Sequence, residues 1–174
     1  MPVLLKEIDD FSRLEEFNSV LIIPCRFCPA ASMAVRANRP YFEFHRSFLK
    51  TAPYERLIAD MKSTLENMQI RADVFETRWL HQFALCMWSL KRRKKLKERA
   101  RKFDALVVLG CEAAVETVLD AVKPVPCAVF QGMRTEGIMN IQPKFQLPSC
   151  ISIRLNGITP LLHQPTHNEE WACL

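Results

Sequence analysis

The chain has 174 residues, of which 49% are hydrophobic and 25% are charged, and its net charge is +5. This composition is ordinary for a globular protein and excludes a collagen, a coiled-coil rod and a disordered acidic tail. No apolar run approaches the roughly 20 residues that a membrane-spanning helix needs. The first ten residues become acidic at once and have no basic leader region or cleavage site. We therefore expect a single cytoplasmic domain over 1–174, with a loosely ordered tail from about residue 160.

Helices and strands alternate along the chain. Apolar residues at helical spacing predict a first helix over 6–17. Short, continuously apolar runs predict buried strands over 19–23, 70–75, 105–109 and 127–130, with a fifth candidate over 150–155. Amphipathic or capped segments between them predict helices over 29–38, 54–68, 79–102 and 112–122. This alternation predicts a three-layer α/β domain, Rossmann-like or flavodoxin-like, with a parallel sheet of four to five strands and helices on both faces.

Three cysteines directly follow predicted strands. Cys25 and Cys28 come after the first strand, and Cys111 comes after the third. If the strand order reverses around the first strand, these thiols converge at the carboxyl edge of the sheet. Cys28 is expected at the N-cap of its helix, and Cys111 also precedes a helix. Free amides and the helix dipole at such positions favour the thiolate, which binds metals and attacks electrophiles.

The cysteine count leaves several interpretations open. Seven cysteines in a reducing compartment indicate metal or thiol chemistry rather than a disulfide framework. Cys25, Cys28 and Cys111 could be ligands of a metal or cluster, or small core residues, and Cys111 is the candidate catalytic thiol. No Trp-Cys-Gly-Pro-Cys motif supports a thioredoxin-like protein. The remaining cysteines are expected to be structural or to lie in the tail (Cys86, Cys127, Cys150 and Cys173).

Two stretches carry a family resemblance. They are Leu-Ile-Ile-Pro-Cys-Arg-Phe-Cys-Pro-Ala over 21–30 and Phe-Asp-Ala-Leu-Val-Val-Leu-Gly-Cys-Glu-Ala-Ala-Val-Glu-Thr-Val over 103–118, followed by Lys-Pro-Val. Over about residues 5–135 the chain resembles the C-terminal methylenetetrahydrofolate-reductase-type domain, which also occurs as the small partner subunit of the reductase in acetogens. The resemblance implies zinc or iron–sulfur binding, a protein partner subunit and a role in one-carbon or redox metabolism.

The chain departs from that family at two cysteine positions. Ser32 stands where the family has a further cysteine, and Glu-Thr-Arg over 76–78 stands where another follows the second strand. The cysteine-rich C-terminal extension is also absent. A site of four thiolates is therefore not carried over whole. Three cysteines could hold an open zinc site, with His81 or Cys86 as a fourth ligand, or the site has decayed and no cofactor is bound.

The positive charge is concentrated in one segment. Residues 91–102 contain nine basic side chains and one acidic side chain, a net charge of +8, so the rest of the chain carries −3. A solvated helix face is the ordinary interpretation, and binding to nucleic acid or to an acidic partner is the alternative.

Other segments give weaker signals. Arg134, in an expected flexible loop over 131–137, is a candidate cofactor-binding residue for an anion. The aromatic segment 40–48 could be core, a dimer contact or a lid, and His45 within it is a weak ligand candidate. His163 and His167 have helical metal-ligand spacing but lie in the expected tail. The usual signatures of dinucleotide, nucleoside-triphosphate, serine-hydrolase and zincin sites are missing from the sequence.

Three functional hypotheses result. The first is a metal- or iron–sulfur-binding accessory module in one-carbon or redox metabolism. The second is a thiol-dependent enzyme that uses Cys111. The third is an anion- or nucleic-acid-binding module that uses the helix N-termini and the basic segment. The sequence is compatible with a homo-oligomer under each hypothesis.

Overall fold

The computed structural model of the protein describes residues 2–8, 11–44, 50–76 and 84–161. Four helices lie in these ranges: α1 (Cys28–Arg36), α2 (Ala52–Asn67), α3 (Leu90–Ala100) and α4 (Glu112–Val122). The strands are β1 (Val3–Glu7), β2 (Ser19–Pro24), β3 (Phe42–Glu43), β4 (Arg71–Val74), β5 (Ala105–Leu109), β6 (Ala128–Gln131), β7 (Met133–Gln146) and β8 (Cys150–Pro160). Short 3-10 turns occupy Ser12–Leu14 and Leu85–Met87.

The predicted parallel sheet is present and has four strands in the order β4-β2-β5-β6. Its two central strands, β2 and β5, are buried along their whole length. This burial explains why they have continuous apolar sequences, since strands covered on both faces show no polar alternation. Because β2 is first in the chain within this sheet but lies between β4 and β5, the strand order reverses around it.

Helices cover both faces of the parallel sheet. On one face, side chains of α1 and α2 pack with alternate residues of β2 and β5, including Val20, Ile22 and Val107. On the other face, α3 and α4 pack with the intervening residues, including Leu21 and Ile23. Successive residues of a strand point to opposite faces of the sheet, so each core takes every second residue.

A second, antiparallel sheet has the order β1-β7-β8-β3. Its longest pairing is the hairpin of β7 and β8, which runs from Gly137 opposite Pro160 to Gln146 opposite Cys150. Leu4 and Leu5 of β1 and Met133 and Met139 of β7 join the core on the α1 side. Helix α1 therefore packs with the parallel sheet and with the antiparallel sheet.

Several sequence predictions of secondary structure are wrong. Within the described ranges, residues 6–17 form the end of β1, irregular chain and a 3-10 turn. The apolar residues at helical spacing, Ile8, Phe11, Leu14 and Phe17, all follow β1 and lie in this irregular segment and its turn. The candidate fifth parallel strand over 150–155 belongs to β8 of the antiparallel sheet. The expected flexible loop over 131–137 is strand, divided between β6 and β7.

The helix expected over 79–102 begins only at Leu90. Residues 77–83 lie outside the described residues, Leu85–Met87 is a 3-10 turn, and Trp88 has extended backbone angles. Ser89, also extended, is the N-cap of α3. The predicted tail from residue 160 lies almost wholly outside the described residues, which end at Leu161.

None of the described helices is long and apolar enough to cross a membrane.

Candidate functional site

The turns after β2 and β5 meet at the carboxyl edge of the parallel sheet. Pro24 lies opposite Leu109 in the register of the two strands, and the amide of Cys25 donates a 2.9 Å hydrogen bond to the Leu109 carbonyl. A methyl group on Gly110 would lie 2.6 Å from the Cβ of Ala114 and 3.3 Å from the Cβ of Cys25. The close approach of β5, α4 and the Cys25 loop therefore requires glycine at residue 110.

Cys25 points into the core on the α3 and α4 side. It continues the alternation of Leu21 and Ile23 and is only 3% exposed. Its sulfur accepts a 3.5 Å hydrogen bond from the amide of Leu85. Burial raises the pKa of the Cys25 thiol to about 11, because an apolar environment disfavours the thiolate. Cys25 is therefore a neutral core thiol at physiological pH.

Cys28 and Cys111 form a pair, although they are 83 residues apart in the chain. The sequence predicts Cys28 at the N-cap of α1, but it is the first residue of the helix, and Phe27 is the N-cap. Cys111 is the N-cap of α4 and has extended backbone angles. The two thiols lie close enough that a side-chain hydrogen bond between them is the largest cause of the pKa shift of each. Both are half-buried and pack against the core on the α1 side.

The hydrogen bond from Cys28 lowers the pKa of Cys111 to about 6. Partial burial opposes this shift, and the backbone amides of Ala114 and Ala113 at the start of α4 add to it. The charge of Glu112 raises the pKa of Cys111, but by less than the hydrogen bond from Cys28 lowers it. Cys111 is therefore mainly a thiolate at neutral pH, stabilised by a thiol donor and by a helix N-terminus.

The same hydrogen bond raises the pKa of Cys28 well above its usual value, and burial adds to the effect. The amide of Val3 lowers the pKa of Cys28, but by less than these two effects raise it. Because the second ionisation would place two negative sulfurs side by side, the pair loses one proton readily and retains the other. The described geometry thus gives one nucleophilic sulfur and one proton-donating sulfur.

Ser32, which lies in α1 four residues after Cys28, has a structural role. Its hydroxyl is fully buried and accepts a 2.9 Å hydrogen bond from the amide of Leu5. It is also within hydrogen-bond distance of the carbonyls of Cys28, at 2.9 Å, and Val3, at 3.2 Å. These contacts tie the first turn of α1 to β1.

A buried arginine lies between the two cysteines of the Cys-x-x-Cys loop. Arg26 is 7% exposed, and its Nε and Nη2 donate hydrogen bonds of 2.7 and 3.2 Å to the carboxylate of Glu55 in α2. Lys50 lies 3.3 Å from the same carboxylate. Burial alone would raise the pKa of Glu55, but Arg26 and then Lys50 outweigh it, so the pKa is lowered. This ion pair fixes α2 beside the loop.

Tyr54, also in α2, reaches the turn that precedes Cys111. It is fully buried and donates a 3.1 Å hydrogen bond to the Leu109 carbonyl. Burial raises the pKa of this tyrosine well above its usual value, so it stays a neutral donor. Helix α2 is therefore bonded to both turns that carry the paired thiols, through Arg26 after β2 and through Leu109 at the end of β5.

Polar side chains of β6 and β7 hold the residue after Cys111. Thr135 donates a 2.6 Å hydrogen bond to Glu112, and the amide of Gln131 lies 3.4 Å from the other carboxylate oxygen. The candidate anion-binding residue Arg134 is exposed and lies opposite Lys6 in the strand register. Its cofactor-binding role stays a prediction.

The described residues contain no group of three or more His, Cys, Asp or Glu side chains that could hold a metal ion. The alternation of β2 explains this finding, because Cys25 points into one core while Cys28 packs against the other. Zinc or an iron–sulfur cluster does not fit the described thiols as they are arranged. Cys86 is exposed, and His81 lies outside the described residues. The ligand roles of Cys25, Cys28 and Cys111 stay predictions.

Of the other sequence candidates, Tyr41 lies beside the paired thiols, because its hydroxyl donates a 3.4 Å hydrogen bond to the carbonyl of Phe27, next to Cys28. The rest lie elsewhere in the described residues or outside them. Cys127 is buried in the core formed with α3 and α4. Cys150 lies in the β7–β8 hairpin, 3.2 Å from the side-chain oxygen of Gln146. Tyr41 and Phe42 of the aromatic segment pack into the core on the α1 side. Three histidines and one cysteine fall outside the described residues: His45, His163, His167 and Cys173.

Sequence reasoning missed Arg26, Glu55 and Tyr54. The available signal was an arginine between two cysteines directly after a buried strand, where a charged side chain needs a partner. Nothing in the sequence singles out Glu55 as that partner, since α2 contains several acidic residues.

No protein-family model matches the chain, and the comparisons with curated proteins and with solved structures gave no match either. The resemblance to the methylenetetrahydrofolate-reductase-type domain therefore stays a prediction.

Proposed function

We propose that this protein is a thiol-dependent redox protein in which Cys111 is the attacking thiolate and Cys28 is the second thiol. The observation that carries the proposal is the placement of Cys28 at the first residue of α1 and of Cys111 at the N-cap of α4, where both thiols are half-buried and pack against the same core. An isolated buried cysteine is usually inert, but a half-buried thiolate with its own proton donor has the properties of a reactive cysteine.

The pair supports thiol–disulfide exchange. The Cys111 thiolate attacks one sulfur of a substrate disulfide, which forms a mixed disulfide and releases the first substrate sulfur, protonated by Cys28. The Cys28 thiolate then attacks the Cys111 sulfur, forms a Cys28–Cys111 disulfide and releases the second substrate thiolate. The substrate gains two electrons and the protein loses two. A thiol reductant, such as the glutathione of a cytoplasmic compartment, returns both cysteines to the reduced state.

The surroundings of the pair support this division of roles. Cys111 is the better nucleophile at neutral pH because its pKa of about 6 leaves it ionised. Cys28 keeps its proton while Cys111 is a thiolate because its pKa is raised, and it gives that proton up once the Cys111 sulfur is in the mixed disulfide. Cys25, only three residues from Cys28, is 3% exposed and belongs to the core on the α3 and α4 side, against which Cys111 also packs. Its burial keeps Cys25 from a substrate disulfide, so it takes no part in the exchange.

We propose further that the parallel sheet and its four helices form a flavodoxin-like arrangement within the Rossmann-like class. The strand order supports the proposal, because the first strand of the sheet lies between the second and the third. In such sheets, ligands bind beyond the carboxyl ends of the strands at the point of reversal. Cys28 and Cys111 follow the two strands, β2 and β5, that flank this point.

Peptide mapping after controlled oxidation tests the function. We expect a thiol-disulfide buffer or a small disulfide oxidant to produce one Cys28–Cys111 disulfide, reversible by dithiothreitol. The Cys111→Ser variant should lose this product, whereas the Cys150→Ser variant should keep it, because Cys150 lies in the distant hairpin. A dominant Cys25–Cys28 disulfide in the wild type would contradict the proposal.

The second candidate is the metal-binding accessory module in one-carbon metabolism that the family resemblance implies. It is favoured by the mutual electrostatic influence of Cys25, Cys28 and Cys111 at one edge of the sheet. The absence of a three-ligand group among the described residues disfavours it. Metal content measured on protein purified without oxygen separates the two candidates.

A further inference from the structure

Helix α3 presents a dense band of positive charge on the side opposite its apolar stripe. Leu96 and Ala100 are fully buried and attach the helix to the core. The basic residues around them are exposed or half-buried: Lys91, Arg92, Arg93, Lys94, Lys95, Lys97 and Arg99, followed by Arg101 and Lys102. The only acidic residue of the segment is Glu98.

Ion pairs within the described chain neutralise two of these nine cations. Arg93 lies 2.5 Å from the carboxylate of Asp120 in α4, and Arg99 pairs with Asp73 in β4. These two pairs join α3 to its neighbours on either side. The described residues place no acidic side chain in an ion pair with the other seven, so most of the charge faces solvent.

The shape of this surface suits an extended polyanion. The eleven residues of α3 span roughly 16 Å, a length of duplex axis that carries about nine phosphates. A groove of about 430 Å³ lies between α3 and α4, and its charged lining is four cations and two carboxylates: Arg93, Lys94, Lys97, Arg101, Glu98 and Asp120. The cations therefore form a continuous strip rather than a single point of charge.

The aromatic residues near the strip favour a duplex over a single strand. Trp88 is 6% exposed and Phe103 is 8% exposed, and the guanidinium groups of Arg71 and Arg99 lie 5.0 and 5.8 Å from the Phe103 ring. Proteins that bind single strands stack bases on accessible aromatic rings. Here both rings are covered, so neither offers a face on which a base could stack.

The apolar residues near the strip disfavour a membrane surface. A helix that lies on a bilayer inserts an apolar face into the lipid. The apolar face of α3 is already buried in the protein. Exposed apolar side chains occur only at its start, where Met87 and Leu90 are 81% and 83% exposed.

We propose that α3 binds the phosphate backbone of a nucleic-acid duplex without reading its sequence. Phosphate contacts by lysine and arginine position a protein on a duplex but carry no sequence information. Binding of this kind is weak, with a dissociation constant on the order of 10⁻⁶ to 10⁻⁴ M at physiological salt, and it weakens steeply as salt rises.

Fluorescence anisotropy with a 20-base-pair DNA duplex and an RNA duplex of the same sequence tests the proposal. The full chain is titrated at several salt concentrations. The Lys94→Glu/Lys95→Glu variant should bind at least about tenfold more weakly, and the slope of log affinity against log salt should fall by about 2. The duplex that binds more tightly identifies the natural polymer.

A matched control carries the same change of charge elsewhere. Lys144→Glu/Arg154→Glu alters two exposed residues of the β7–β8 hairpin and should keep wild-type affinity within about twofold, because these residues lie outside the strip. Both variants should melt cooperatively within about 2 °C of the wild type, since the substituted side chains are exposed. Three kinds of result would overturn the proposal. The control variant could weaken binding equally, or the wild type could fail to bind a duplex at low salt. The third is tighter binding to phosphatidylserine vesicles or to a single strand than to a duplex.

Discussion

The Ser32 hydroxyl accepts a hydrogen bond of 2.9 Å from the amide of Leu5, and both residues are fully buried. This bond links α1, the helix that begins with Cys28, to the first strand of the antiparallel sheet. The amide of Val3, two residues earlier in β1, lowers the pKa of the Cys28 thiol, against the larger effects of Cys111 and of burial. The antiparallel sheet therefore supports the position of one member of the thiol pair.

Replacement of Ser32 by alanine should destabilise the protein. The Leu5 amide would remain buried without its acceptor, and an unsatisfied buried donor costs about 1–3 kcal/mol. Urea unfolding of the wild type and Ser32→Ala measures this loss. Thr64→Ala is the control: Thr64 also bonds to a backbone carbonyl, that of Asp60, but at an exposed site, so it should change the free energy of unfolding by less than about 0.5 kcal/mol. Equal effects of the two substitutions would contradict the role of Ser32.

The reactivity of Cys111 should depend on Cys28. Removal of the donor in Cys28→Ala should raise the pKa of Cys111 from about 6 toward 9, the ordinary value of a thiol. Cys28→Ser keeps a hydroxyl donor and should raise the pKa less. The rate of alkylation of Cys111 by iodoacetamide, measured from pH 5 to 10 by mass spectrometry, gives this pKa directly. Identical pH profiles for the wild type and Cys28→Ala would show that the hydrogen bond does not set the reactivity.

Removal of metal should leave the stability of the protein unchanged. The proposed thiol pair needs no metal, so the melting temperature of anaerobically purified wild type should be the same with and without a chelator. Cys111→Ser should lower the free energy of unfolding by about 1–3 kcal/mol, equally in both conditions, because it places a poorly paired hydroxyl at a half-buried site. Stoichiometric zinc or iron, together with a chelator-dependent melt that Cys111→Ser abolishes, would instead establish the metal-binding module.

The parallel sheet was predictable from sequence because burial on both faces produces an unmistakable pattern. The structure has β5 and α4 at the predicted bounds, and it has β2 and α2 within two residues of them. The antiparallel sheet was not predictable in the same way. Much of β7 and β8 is exposed, so these strands lack an apolar signature, and the spacing of Ile8, Phe11, Leu14 and Phe17 imitates a helix.

The site was only partly predictable for a related reason. The positions after β2 and β5 brought Cys25, Cys28 and Cys111 to one edge, but the Cys-x-x-Cys spacing suggested that the first two act together. Successive side chains of β2 point to opposite faces of the sheet, and Cys25 shares the face of Leu21 and Ile23. Cys25 therefore does not pack with Cys28. That alternation is visible in the sequence once the strand is known to continue in register to Cys25. The partnership of Arg26 with Glu55 depends on the packing of α2 and has no local sequence signal.

Replacement of Glu55 by glutamine should leave the buried charge of Arg26 without a counter-charge. Breaking a fully buried ion pair from one side costs about 3–5 kcal/mol. The side chain of Glu55 is 25% exposed and therefore partly solvated, so we expect roughly 2–3 kcal/mol for Glu55→Gln at pH 7. The matched control is Glu66→Gln in the same helix. It breaks the exposed pair with Lys62 and should cost less than about 0.5 kcal/mol.

The effect of Glu55→Gln should disappear in acid. Because Arg26 and Lys50 lower the pKa of Glu55 below its value of 4.5 in an unfolded chain, the native state favours the carboxylate. The stabilisation is therefore fully present above pH 4.5 and is lost as the pH falls through the lower native pKa. Urea unfolding of the wild type and Glu55→Gln should show a constant difference between pH 5 and 8 that shrinks below pH 4.5. A difference that persists undiminished at pH 3 would mean that the glutamate acts through packing, and that the ion pair does not hold α2 against the Cys-x-x-Cys loop.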